Sequence, residues 1–117
     1  DEAYFLGKVA ADVADWRSRF PGQPEVAVTA RVIDGYVGDG YGVASSAVLQ
    51  LIAELAALEG LLLDPVYTGK AFHGLVQELQ AGRFEGTRDV VFLHSGGVFG
   101  VFPQADQFQF LHAASGG

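Results

Sequence analysis

Apolar positions recur at helical spacing over the first twenty residues. Phe5, Leu6, Val9, Val13 and Trp16 are interleaved with Lys8, Asp12 and Asp15, which predicts a helix over 4–19, stopped by Pro21-Gly22. From 26 to 33 the period falls to two. Val26, Val28, Ala30 and Val32 share a face and β-branched residues dominate, so the spacing predicts a strand. DGYVGDGYG at 34–42 is a glycine-rich loop. Ser45 or Ser46 is placed to cap a helix of about 47–59 with Gly60 as its stop. Its apolar face is Val48, Leu51, Ile52, Leu55 and Leu58. A short apolar run, Leu61 to Leu63, ends at Asp64-Pro65, and Thr68 can cap a helix over 69–81 closed by Gly82. Val90 to Leu93 is continuously apolar, as a strand buried on both faces would be, and ends at His94-Ser95-Gly96-Gly97.

This alternation of helices and strands predicts an α/β fold: a layered, mostly parallel sheet flanked by helices. No internal repeat or linker interrupts it. Residues 1–117 therefore read as a single α/β domain, with 103–117 as a poorly defined tail that could hold a short helix or strand.

Composition narrows the function. Half the residues are hydrophobic and 18% are charged, a balance that supports a core and argues against disorder. The net charge of -7 repels phosphate backbones, so nucleic acid is not an expected partner. The absence of cysteine excludes disulfides, thiolate nucleophiles and Cys-based zinc sites, and is compatible with a cytoplasmic location. Glu54, Glu59 and Asp64 interrupt the apolar stretches before any reaches the ~20 residues of a membrane span.

Ligands of open α/β sheets bind beyond the C-terminal ends of the strands. On this topology, the candidate chemistry sits in 35–42 and 94–97. Glycines 38, 40 and 42 imitate a dinucleotide fingerprint, but Val43 stands where the third glycine is required. Thr68-Gly69-Lys70 is no phosphate loop, because Ala71 replaces the hydroxyl residue. His73, His94 and His112 have no metal-ligand spacing, and Asp34 and Asp39 read as solvated loop carboxylates.

Three segments taken together are far more specific: DGYVGDGYGV (34–43), LEGLLLDPVYTGKAFHGL (58–75) and FLHSGGVFGVF (92–102). They resemble the C-terminal region of the D-cysteine desulfhydrase/1-aminocyclopropane-1-carboxylate deaminase family of pyridoxal-phosphate enzymes. The resemblance implies a two-domain, type II pyridoxal-phosphate fold and a homodimer acting on a small amino acid. It implies that Tyr41 and Tyr67 face the substrate as catalytic residues. It also implies that Ser95, with Gly96 beside it, meets the cofactor ring, where Ser95 would contact the pyridine nitrogen; Thr68 is a second candidate for that nitrogen. Thr68 with Ser95 resembles the desulfhydrase branch, since family deaminases tend to carry Glu at the first position and a non-hydroxyl residue at the second. The implied activity is β-elimination from D-cysteine to pyruvate, ammonia and sulfide, with deamination of the cyclopropane amino acid as the close alternative. The family's cofactor lysine lies in an N-terminal motif without a counterpart here, so Lys70 is expected to stabilise the fold or form an ion pair. The chain is accordingly expected to be incomplete for catalysis, and a non-catalytic piece that pairs with a separate N-terminal chain is a third possibility.

Overall fold

A computed structural model describes residues 2–108. The chain divides into two compact units, Asp1–Asp34 and Gly35–Gly117.

In the first unit, helix α1 spans Glu2–Arg19. Its polar side is laced by the i,i+4 pairs Lys8–Asp12 and Asp15–Arg19, and Trp16 packs on Phe20 beyond its end. Ser18 bonds back to the Asp15 carbonyl. The helix buries none of its residues, so these local pairs and its end charges support it.

The second unit holds the core. Helix α2, Ser46–Glu59, begins where predicted: the Ser45 hydroxyl accepts the Val48 N–H at 3.3 Å. It ends on Gly60, whose φ of 67° suits glycine and whose N–H reaches the Ala56 carbonyl. Helix α3, Thr68–Gln80, packs on α2 and is followed by Gly82 at φ 74°. Val48, Leu49 and Ile52 of α2 close on Leu63, Val101 and Phe108, with the Phe72–Phe92 edge-to-face pair beside them. A 3₁₀ helix, Val98–Gln107, contains Pro103. Lacking an N–H, Pro103 cannot continue an α-helical ladder. Residues 109–117, most of the tail left open by the sequence, lie outside the described residues.

The predicted parallel sheet is absent: among the described residues there are helices and no strand. The layered α/β expectation is therefore corrected. Alternating or continuous apolar residues report a preference for pleated backbone, but a strand exists only as one side of a hydrogen-bonded ladder. Neither 26–33 nor 90–93 has one. The Val26 carbonyl instead accepts a bond from the Arg17 side chain, and Val91 is 92% exposed, the opposite of a doubly buried strand.

Candidate functional site

The site is built from three segments of the second unit. The first is the glycine-rich loop. Gly38 and Gly42 adopt φ near 73° and 72°, values that side chains rarely accept, so the loop's path depends on glycine there. The loop is fastened to α3 at two points. The Tyr36 ring lies over Gly74, where a Cβ would approach it to 2.9 Å, and its hydroxyl donates to Glu78 Oε1 at 2.7 Å. That bond to a carboxylate, then burial and the carboxylate's charge, push the Tyr36 phenol above its ordinary pKa; Arg83 opposes the shift. Glu78 also pairs with Arg83 at 3.1 Å. The second fastening is Lys70, 8% exposed, whose Nζ donates to the carbonyls of Val37 at 2.6 Å and Gly40 at 2.8 Å.

The second segment is the turn into α3, organised by Asp64, which is 1% exposed. One carboxylate oxygen accepts the N–H groups of Val66 and Tyr67, both at 2.7 Å. The other accepts Thr68 N–H at 2.8 Å and the Thr68 hydroxyl at 2.6 Å. Thr68 is thus the first residue of the helix and not its cap; the N-cap position is Tyr67, and Asp64 holds the turn that leads into it. Burial acts to raise its pKa, but the hydrogen bonds from Thr68, Tyr67 and Val66 outweigh it and hold the carboxyl below its usual value.

The third segment is 94–97. His94 Nδ1 accepts the Gly96 N–H at 3.0 Å, which leaves Nε2 protonated to donate to the Leu62 carbonyl at 3.1 Å. A Cβ on Gly97 would sit 2.7 Å from Asp64 Oδ1, so this turn passes against the carboxylate that holds Tyr67.

The structure brings Tyr41 and Tyr67 together, hydroxyl to hydroxyl at 3.0 Å with rings edge-on at 5.8 Å. Both rings are exposed, 80% and 61% respectively. Thr68 is buried; its hydroxyl donates its only proton to Asp64 and accepts the Asp64 N–H at 2.9 Å. Ser95 and Gly96 are exposed, and their link to the phenol pair runs through Gly97 and Asp64. The sequence reading missed Asp64 as an organiser, although an aspartate whose side chain can bond the backbone two residues on is a recognisable turn signal. It placed Lys70 in a stabilising role and did not anticipate the two loop carbonyls.

Two exposed phenols in contact, one of them on a backbone held by a buried carboxylate, are groups with which an enzyme holds small molecules and moves protons. The pyridoxal-phosphate dependent enzyme family matches residues 15–96, and the chain belongs to it. That family's enzymes depend on pyridoxal phosphate. A putative 1-aminocyclopropane-1-carboxylate deaminase of Thermotoga maritima is 36% identical over 102 residues, 87% of this chain and 31% of that protein. D-cysteine desulfhydrases of Salmonella newport and Salmonella heidelberg are 45% identical over 69 residues, 59% of this chain and 21% of each relative. The chain thus spans a third or less of the length of these curated relatives. No solved structure matches it.

Proposed function

We propose that this chain supplies the phenol-bearing side of the substrate pocket in a D-cysteine desulfhydrase-like lyase. The 3.0 Å Tyr41–Tyr67 hydroxyl contact carries the reading. Bound pyridoxal phosphate would supply the electron withdrawal that loosens the Cα proton. Ser95 fits the ring nitrogen, since the residue is exposed and a Cβ added at the neighbouring Gly96 would meet nothing within 4 Å. Thr68 fits that role less well, because its proton is committed to Asp64. Lys70 does not fit the covalent link to the cofactor, being buried with two loop carbonyls on its ammonium.

The phenol pair would hold the substrate carboxylate or give a proton to the departing sulfur. D-cysteine and water would yield pyruvate, ammonia and hydrogen sulfide. Opening of a cyclopropane amino acid is the second reading, favoured by the longer match to the Thermotoga maritima protein. The test uses the product of the complete reading frame with pyridoxal phosphate, following sulfide from D-cysteine and 2-oxobutyrate from the cyclopropane acid. Sulfide is the expected product, and the 117-residue chain alone is expected to form neither. Absence of both products from the complete protein would overturn the reading.

A further inference from the structure

The two tyrosines differ in how their backbones are held. Tyr67 sits at the head of α3: its N–H is bonded to the buried Asp64 carboxylate and its carbonyl to the Ala71 N–H at 2.9 Å. Tyr41 lies in a loop whose glycines leave the backbone many conformations to lose. The backbone on either side of Tyr41 is nevertheless tied down, at the preceding peptide and at the second peptide beyond it. The Gly40 carbonyl, in the peptide that carries the Tyr41 nitrogen, accepts from Lys70 at 2.8 Å. On the other side, the Gly42 carbonyl accepts from Gln104 Nε2 at 3.1 Å.

Lys70 is the stronger of the two ties. It holds a second loop carbonyl, that of Val37, at 2.6 Å, and charge-assisted bonds are roughly twice as strong as neutral ones. It is also buried, and its two oxygen partners give a desolvated ammonium what it needs in place of water. Its site in α3 is three residues past Tyr67. One short stretch of helix therefore carries one phenol directly and fixes the backbone of the other.

We propose that Lys70 is a positioning residue that sets the contact between Tyr41 and Tyr67 by clamping the loop through the Val37 and Gly40 carbonyls. The assignment rests on the reading above only in taking the phenol pair as the working end of the site. The experiment reads the pair itself, so a wrong reaction and a wrong role for Lys70 give different results.

The 117-residue chain is labelled with ¹³Cζ-tyrosine and each phenol is titrated by NMR in the wild type, Tyr41→Phe, Lys70→Met and Ile52→Val. In the wild type Tyr67 is expected to titrate above the ordinary phenol range, and Tyr41→Phe, which removes the hydrogen bond that raises it, is expected to remove most of that displacement. Lys70→Met is expected to do the same with Tyr41 still present. Ile52→Val weakens the core without touching the loop and is expected to leave Tyr67 where it is. A Lys70→Met chain whose Tyr67 titrates as in the wild type overturns the proposal, as does an Ile52→Val chain that loses the displacement equally. Should Lys70→Met not fold, reductive methylation of the wild-type chain decides. Its two lysines are Lys8, exposed, and Lys70. Lys70 is expected to react at least tenfold more slowly, and equal rates overturn the clamp.

Discussion

Replacing Asp64 with Asn tests whether one buried carboxylate organises the site. The side chain keeps its shape but loses its charge and one of its two acceptor oxygens. In the wild type each oxygen serves two donors: Val66 and Tyr67 N–H on one, Thr68 N–H and hydroxyl on the other. If the amide oxygen keeps Val66 and Tyr67, the NH₂ faces the Thr68 N–H, donor against donor. The Thr68 hydroxyl can turn its lone pair to the new NH₂, but its proton then needs another acceptor. One buried N–H is orphaned and the surviving bonds lose their charge assistance, a loss of about 2–4 kcal/mol.

A probe inside the second unit must report this loss, and the chain's only tryptophan, Trp16, belongs to the first. Hydrogen exchange at the Leu49 and Ile52 amides of α2 reports it, because both side chains belong to the core that Asp64 adjoins. At tenfold per 1.4 kcal/mol, those amides should exchange roughly thirty- to several-hundred-fold faster in Asp64→Asn. The sign with pH is also fixed. Asp64 has a depressed folded-state pKa, so its contribution is complete above the unfolded value of about 4 and is lost as pH falls through the lower folded value. Asp64→Asn should flatten that acid limb. Exchange within threefold of the wild type, with the acid limb intact, would refute the organising role.

Gly69→Ala should destabilise the second unit more than Gly82→Ala. At 69 the new methyl would lie 2.6 Å from both the Asp64 carbonyl oxygen and Ile52 Cδ1, whereas at 82 it meets nothing and costs only the strain of φ 74°. The same exchange measurement ranks them, and the reverse order would count against the close approach of α3 to the Asp64 turn. Glu78→Gln should bring the Tyr36 phenol down toward its ordinary pKa of about 10, because it replaces the carboxylate whose hydrogen bond, first, and charge, last, raise it. An unmoved Tyr36 titration would place the cause elsewhere.

The three α-helices of the described residues were legible in the sequence because their signals are local, whereas the 3₁₀ helix Val98–Gln107 was not foreseen. Ser45 and Gly60 bracket α2 as predicted, and Gly82 follows α3. The two strands were misread because strand identity is not local. The valines of 26–33 and 90–93 state a preference that only a neighbouring ladder can realise. Within the site, the motif likeness pointed to Tyr41 and Tyr67, 26 residues apart, and the structure joins them at their hydroxyls. Burial was not legible. Lys70 is expected from the sequence to stabilise the fold or form an ion pair and nothing there marks Glu78, yet both are buried under the glycine-rich loop, because Val37, Gly40 and Tyr36 bring partners to them.

Where the buried charges lie determines what the phenols can do. Asp64, Lys70 and Glu78 are all occupied in fixing backbone or a neighbouring ring. Tyr67 is pushed above its ordinary pKa by its hydrogen bond to Tyr41, then by burial and by the charges of Tyr41 and Asp64. A raised phenol stays protonated throughout the physiological range, so in the proposed lyase Tyr67 keeps its proton on the hydrogen bond to Tyr41 and does not act as a base. Since Tyr67 donates to Tyr41, the Tyr41 proton is the one left for substrate. The complete enzyme should therefore lose kcat/KM as pH rises through the raised range of Tyr67, and Tyr41→Phe, which removes the hydrogen bond that raises Tyr67, should bring that alkaline limb to lower pH and cost most of the rate, roughly a hundredfold or more. A rate that climbs as the phenols ionise would mean that the pair takes protons, and the proposed direction of transfer would be wrong.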